Sequence, residues 1–177
     1  MDRVVIADID GVLNRSGAPF PPFGWYEPRR GEDGQWGLAL PTDPVRKLAT
    51  FLAVLDEGPV ARLRTLAEGS GAGLVLCSGW RKFVPRRLIR DALAAAGWPD
   101  PPIVAYTPVL GLAGRGDGMA RRRASEIRQW LEHNRPEAWV VLDDLPLSRY
   151  LENAIQVRDG RGLEEAEIQK AYSVLIP

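Results

Sequence analysis

The residues able to do chemistry are, first, carboxylates. Asp8-Ile9-Asp10-Gly11 closes a short apolar run near the N-terminus, and Asp143-Asp144 closes another at residues 139–142. If those runs are neighbouring strands, three or four carboxylates converge. Two like charges about 4 Å apart repel by about 4 kcal/mol at an effective dielectric near 20. Such a cluster calls for raised pKa values or a hard divalent cation, and oxygen-only donors favour Mg²⁺ over zinc. Either pair alone could instead bond the amides of a strand-to-loop turn; both pairs together favour a site. A third signal is Ser78-Gly79-Trp80-Arg81. A hydroxyl followed by a small residue and a helix start offers an OH and backbone N–H groups to an anion, with an ordinary Ser-Gly loop as the alternative. The fourth is Arg121-Arg122-Arg123. Helical phase sets Arg123 four residues before Ile127, on the inward face, and stacks Arg122 over Glu126 as a solvent ion pair; a solvated basic turn is the alternative. Cys77 reads as a buried strand residue rather than a nucleophile, because the chain's one histidine, His133, falls in the last turn of a predicted helix.

The elements that must position these groups follow from apolar periodicity. Continuous apolar runs at residues 4–9, 74–77, 103–105, 139–142 and, more weakly, 154–157 lack polar alternation. They read as strands buried on both faces, as in a parallel sheet covered by helices. Helical stripes lie between them: Val60, Leu63, Leu66 and Ala67, with Gly69 as the stop; Leu88, Ile89, Ala92, Leu93 and Ala96, between Pro85 and Gly97; Ala124, Ile127, Trp130 and Leu131; and a closing helix over residues 163–175. The result is an α/β chain of alternating strands and crossover helices. Residues 45–55 read as helix, with strand as a rival. Residues 14–41, rich in Pro, Gly and aromatics, are too long for an ordinary turn, and residues 107–118, with glycines at 111, 114, 116 and 118, are expected to be mobile.

A length of 177 residues predicts a single domain, residues 1–177, and the absence of a second cysteine fits a reducing compartment. The longest apolar stretch falls far short of the roughly 20 residues that a membrane span requires. Asp8 interrupts the N-terminal apolar run before it could act as a signal-peptide core, so a cytoplasmic protein is expected. Lys plus Arg and Asp plus Glu each number 23, for zero net charge. That balance excludes a uniformly basic nucleic-acid binder. It is also a cancellation, because residues 81–128 carry +6 against −2 before them and −4 after them. Any phosphate-rich ligand is therefore expected at the mouth of the site.

In that order and spacing, Asp8-x-Asp10-Gly11, Ser78, Arg123 and Asp143-Asp144 resemble the phosphotransferases of the haloacid dehalogenase (HAD) superfamily. More specifically, the chain is similar to the HAD domains of Swiss army knife RNA repair proteins. That likeness rests on Asp8-Ile9-Asp10-Gly11-Val12-Leu13-Asn14, Ser78-Gly79-Trp80-Arg81, Thr107-Pro108, the Glu126-Ile127 and Trp130-Leu131 pairs, Leu142-Asp143-Asp144 and Gly162-Leu163. Two departures are an Arg where many members carry Lys, and Gly79 in place of a second Ser. The resemblance implies a HAD-like Rossmannoid fold with a parallel sheet of about five strands and a small cap-like insertion, residues 14–57, after the first strand. It further implies Asp8 as the nucleophile of an aspartyl-phosphate mechanism and Asp10 as general acid and base. Ser78, Gly79 and Arg123 would bind phosphate. Mg²⁺ would be held by Asp8, the Asp10 backbone carbonyl, Asp143 and Asp144.

For the substrate, Arg81, Trp25, Tyr26, Arg29 and Arg30 are candidate contacts, the aromatics for stacking on bases and the arginines for phosphates. A self-packed hydrophobic flap is the alternative for the insertion. The resemblance points to a phosphorylated nucleic-acid end or a nucleotide. Rival readings are a small-molecule (sugar phosphate or nucleotide) phosphatase, a phosphoryl-accepting signalling domain and a catalytically silent nucleic-acid-binding module.

Overall fold

The computed structural model describes residues 2–14, 27–30, 36–39, 55–82, 84–110, 117–158 and 160–176, with 27–30, 36–39 and 117 in their backbone course alone. In chain order the elements are β1 (Arg3–Ala7), β2 (Glu27–Arg30), β3 (Trp36–Ala39), α1 (Glu57–Ser70), β4 (Gly73–Leu76), α2 (Arg86–Ala95), β5 (Ile103–Tyr106), α3 (Asp117–Asn134), β6 (Ala138–Asp143), β7 (Ala154–Gln156) and α4 (Glu165–Leu175). Five of the strands form one parallel sheet in the order β5-β4-β1-β6-β7. All five apolar runs are thus strands, and β1, which carries Asp8 just past its end, is central.

Both faces of the sheet are buried, as continuous apolar runs require. Val5, Ala7, Leu74, Leu76, Val140 and Leu142 face the core shared with α1, α2 and α4. The intervening Val4, Ile6, Val75, Cys77 and Val141 face the core shared with Ala120, Ala124, Ile127 and Trp130 of α3. Alternate residues of one strand thus feed two cores, the doubly covered arrangement expected of parallel strands.

Helix ends follow local chemistry. Asp56 caps α1 by accepting from the Gly58 amide at 3.1 Å. The helix ends at Gly71, in the left-handed conformation at φ 65°, and not at Gly69 as expected. Gly69 lies inside the helix, where its missing side chain makes room for Tyr172: a Cβ there would meet the Tyr172 hydroxyl at 2.1 Å, and that hydroxyl donates to Thr65 O at 2.7 Å. Glu164 and Glu167 form a reciprocal capping box that starts α4.

Between β1 and α1 the chain leaves the sheet layer and returns to it at one place. The Asp56 amide donates to Leu13 O at 2.9 Å, closing the base of the excursion. Within it, β2 and β3 pair antiparallel, with Arg30 opposite Trp36 and Arg29 opposite Gly37. Trp25 and Tyr26, all but the last residue of the 45–55 segment read as helix or strand, and residues 111–116 of the segment expected to be mobile lie outside the described residues. At the ends of that segment Thr107 is buried with its amide on Leu76 O at 3.1 Å, and Gly118 belongs to α3, so mobility is not what the described ends show. Among the described residues no helix is long and apolar enough to cross a membrane.

Candidate active site

The topology sets the C-terminal ends of β4, β1 and β6 side by side, so Ser78, Asp8 and Asp143 gather at one edge of the sheet. This is the ligand-binding edge of an open α/β sheet. Asp8, Asp143 and Asp144 each bring a carboxylate oxygen to within 4.8 Å of the others'. The backbone shape that permits this is local. Gly11 adopts φ 76°, and a Cβ there would stand 2.6 Å from Asp144 Oδ2, so a side chain at residue 11 would push Asp144 out of the group.

Each carboxylate is held individually. Asp8 Oδ1 accepts from the Ile9 amide at 2.8 Å, and Asp143 Oδ1 accepts from the Leu145 amide at 3.0 Å. Their other oxygens share one cation: Arg123 Nη1 lies 2.8 Å from Asp8 Oδ2 and 2.6 Å from Asp143 Oδ2. The inward phase expected for Arg123 is therefore correct. Burial opposes its charge, but the two carboxylates outweigh burial and hold the guanidinium protonated. Burial, with repulsion from Asp8, pushes Asp143 up to about 7. Cys77 is fully buried beneath this group, its Sγ 3.7 Å from Asp143 Oδ2 and 3.5 Å from Arg123 Nη1. Burial pushes its thiol well up, so it is a neutral packing group.

The donor set fits a hard divalent cation: three carboxylate oxygens within reach of one another, and a glycine that clears the space for the third. The Asp10 carboxylate is not in this group. It lies to one side, with Oδ1 accepting from Asn14 Nδ2 at 3.1 Å and Oδ2 from Trp80 Nε1 at 2.9 Å. Burial and the nearby Asp8 raise its pKa against those two hydrogen bonds and Arg123.

Ser78 is buried just past β4, where its Oγ accepts from the Trp80 amide at 3.2 Å. That leaves the hydroxyl proton to donate elsewhere. Gly79 opens the one-turn 3₁₀ helix Gly79–Lys82, and a Cβ there would meet nothing within 4 Å. A second Ser would fit, so its absence does not distort the loop.

Arg81 is placed otherwise than expected. Its side chain is 3% exposed and its donors are spent inside the protein: Nε on Thr107 O at 3.0 Å, Nη2 on Pro108 O at 3.1 Å, Nη1 on the Cys77 and Ser78 carbonyls, and Nη2 on Glu126 Oε2. Arg81 thus braces the Ser78 loop against β5 and α3 and has no face turned to a substrate. Glu126 is equally buried and also accepts from the Leu110 amide at 3.1 Å. The solvent pair expected between Arg122 and Glu126 is corrected accordingly: Arg122 Nε stands 3.9 Å from a carboxylate whose main partner is Arg81. Two residues were missed by sequence reasoning, Asn14 and Trp80 as the donors to Asp10. Both stood in the quoted motifs, but no spacing rule links them across the fold. Arg29 and Arg30 lie on β2, in the excursion after β1.

A five-stranded parallel sheet covered by helices, with a carboxylate triad and a cation at the C-terminal edge of its central strands, defines a HAD-type Rossmannoid domain. Residues 4–168 match the family described as the HAD domain in Swiss Army Knife RNA repair proteins, and the chain belongs to that family. Comparison with curated proteins and with solved structures finds no match. Membership in this family supports a phosphatase-type hydrolase role in general terms.

The shorter motifs behind the likeness converge in space. Ser78-Gly79-Trp80-Arg81, Thr107-Pro108 and Glu126 all meet at the Arg81 guanidinium. Gly162-Leu163 anchors the loop after Asp10, with the Leu163 amide donating to Val12 O at 2.8 Å and Leu163 O accepting from Arg62 Nε at 2.7 Å.

Proposed function

We propose that this protein is a Mg²⁺-dependent phosphoric monoester hydrolase acting through an aspartyl-phosphate, on phosphorylated nucleic-acid ends or nucleotides. The observation that carries the reading is the convergence of Asp8, Asp143, Asp144 and Arg123 beside Ser78. An Asp8 oxygen attacks phosphorus and the ester P–O bond breaks, with Asp10 giving its proton to the departing oxygen. Asp10 then takes a proton from the water that attacks the aspartyl-phosphate, releasing phosphate and restoring Asp8. Ser78, the Gly79 amide and Arg123 hold the non-bridging oxygens. Asp8, Asp143, Asp144 and the Asp10 backbone carbonyl are the groups that would hold Mg²⁺. Bound there, the ion supplies positive charge to the transferring phosphoryl group.

Residues 14–57 are read as a cap within a single domain, since the excursion is closed at its base and follows the nucleophile strand directly. Its aromatics Trp25 and Tyr26, with Arg29 and Arg30, are the proposed contacts to bases and phosphates. The family description, RNA repair, is what favours nucleic acid over a sugar phosphate. A cytoplasmic setting accords with that substrate.

The test is a phosphate-release screen with 3′- and 5′-phosphorylated RNA and DNA oligomers beside nucleotides and sugar phosphates. Release from an oligomer end or nucleotide, dependent on Mg²⁺ and abolished by EDTA, is expected. Turnover of sugar phosphates alone would move the substrate to small molecules. A stable phosphoprotein after acyl-phosphate treatment, without turnover, would make the domain a signalling module.

A further inference from the structure

Asp10 must hold its carboxyl where a proton can pass to the leaving oxygen, yet it sits on a loop and not on the rigid strand that carries Asp8. Its two oxygens are fixed by two donors from different parts of the chain. Asn14 Nδ2 comes from four residues on in the same loop, and that side chain is itself fixed by the Gly11 amide at 2.7 Å. Trp80 Nε1 comes from the segment after β4, 70 residues away, at 2.9 Å. Trp80 is 5% exposed, packed within the core on the α1, α2 and α4 side of the sheet, and flanked by the braced Arg81. Its own amide donates to Ser78 Oγ. One residue therefore touches both the hydroxyl assigned to phosphate and the carboxyl assigned to proton transfer, and it is held rigidly while doing so.

We propose that Trp80 is a positioning residue for leaving-group protonation: its indole N–H holds Asp10 in register with the phosphate-binding hydroxyl of Ser78. A Trp used merely to fill the core needs no donor aimed at a carboxylate, whereas a buried indole N–H that meets one has a fixed orientation to impose. The proposal rests on the reading of Asp10 as general acid and base, and its test separates the two.

That test compares kcat/KM, which reports the steps through aspartyl phosphorylation, for two esters of similar shape. p-Nitrophenyl phosphate loses a leaving group that departs without a proton, whereas phenyl phosphate needs one. In Trp80→Phe, which keeps an aromatic ring but removes the donor, kcat/KM for phenyl phosphate is expected to fall about tenfold or more, and for p-nitrophenyl phosphate by less than about threefold. Should Trp80→Phe fold poorly, 3-benzothienylalanine at residue 80 keeps the indole outline with sulfur in place of N–H and is expected to show the same selective loss. An equal loss on both esters would reduce Trp80 to a packing residue and overturn the proposal. If the wild-type enzyme hydrolyses both esters and Asp10→Asn also lowers them equally, the assignment of Asp10 itself falls and takes the proposal with it.

Discussion

Arg81 and Arg123 are both shielded from solvent, both beside carboxylates and both at the same edge of the sheet, yet their surroundings differ in kind. Arg81 spends its donors on four backbone carbonyls and on Glu126, so its charge is matched one to one and its geometry is complete. Arg123 meets Asp8 and Asp143 through a single nitrogen, and Asp144 brings a third carboxylate oxygen into the same small group. A buried ion pair whose every bond is made is architecture, while three carboxylate oxygens gathered within reach of one another are a place for a ligand. The comparison separates two residues that the sequence presents as equals, each an arginine near a motif.

The largest effect expected from this contrast is on stability at Arg81. Arg81→Ala leaves buried Glu126 with only the 3.9 Å approach of Arg122 as an ion pair and takes a side-chain donor from four carbonyls, so the unfolding free energy is expected to drop by about 3–5 kcal/mol in a denaturant titration. Arg123→Ala is expected to act the other way round. It should lower kcat/KM about a hundredfold to a thousandfold, the loss typical of removing a donor from a charged transition state, while the Mg²⁺-bound protein unfolds at nearly the wild-type midpoint. If Arg123→Ala unfolded the protein and Arg81→Ala merely slowed it, the two roles would be exchanged.

A smaller effect probes the crowded carboxylates directly. In EDTA, folded Asp143 binds its proton at about 7 against 3.8 for an ordinary Asp. The folded state therefore takes up a proton that the unfolded chain does not, and this contribution is present at low pH and lost as pH rises through about 7. Between about pH 6 and pH 8 the unfolding free energy is expected to fall by about 1 kcal/mol from this group, and Asp143→Asn flattens that slope. The smallest effect belongs to Arg122, whose 3.9 Å approach to Glu126 adds little to a carboxylate already paired. Arg122→Ala should change stability by less than about 0.5 kcal/mol and leave turnover within about twofold. A catalytic loss at Arg122 larger than at Arg123 would mean that the helical phase had been read on the wrong face.

The contrast also marks where sequence reasoning reaches and where it stops. The five strands were legible because burial on both faces leaves an unbroken apolar run, and Asp8, Ser78 and Asp143 were legible because each directly follows such a run. Arg123 followed from helical phase against Ile127. Arg81 was misplaced because its partners lie 26 to 45 residues away along the chain, at Thr107, Pro108 and Glu126. Local spacing assigned Glu126 to Arg122 instead, the nearest cation one turn away. Gly69 was mistaken for a helix stop because a glycine that admits Tyr172 from another helix looks, in one dimension, like one that turns the chain. The indole donor to Asp10 was hidden by its distance along the chain, since Trp80 reads as a core aromatic until β1 and β4 are laid side by side, whereas Asn14, four residues on, depends on the turn of its own loop.

The central claim, that Asp8 is the nucleophile at the carboxylate cluster, is tested most directly by Mg²⁺-dependent phosphate release from an aryl phosphate by wild type and Asp8→Asn, each checked for an unchanged fold by circular dichroism. The account expects turnover in the wild type and none above background in Asp8→Asn. Undiminished turnover by a folded Asp8→Asn protein would contradict it.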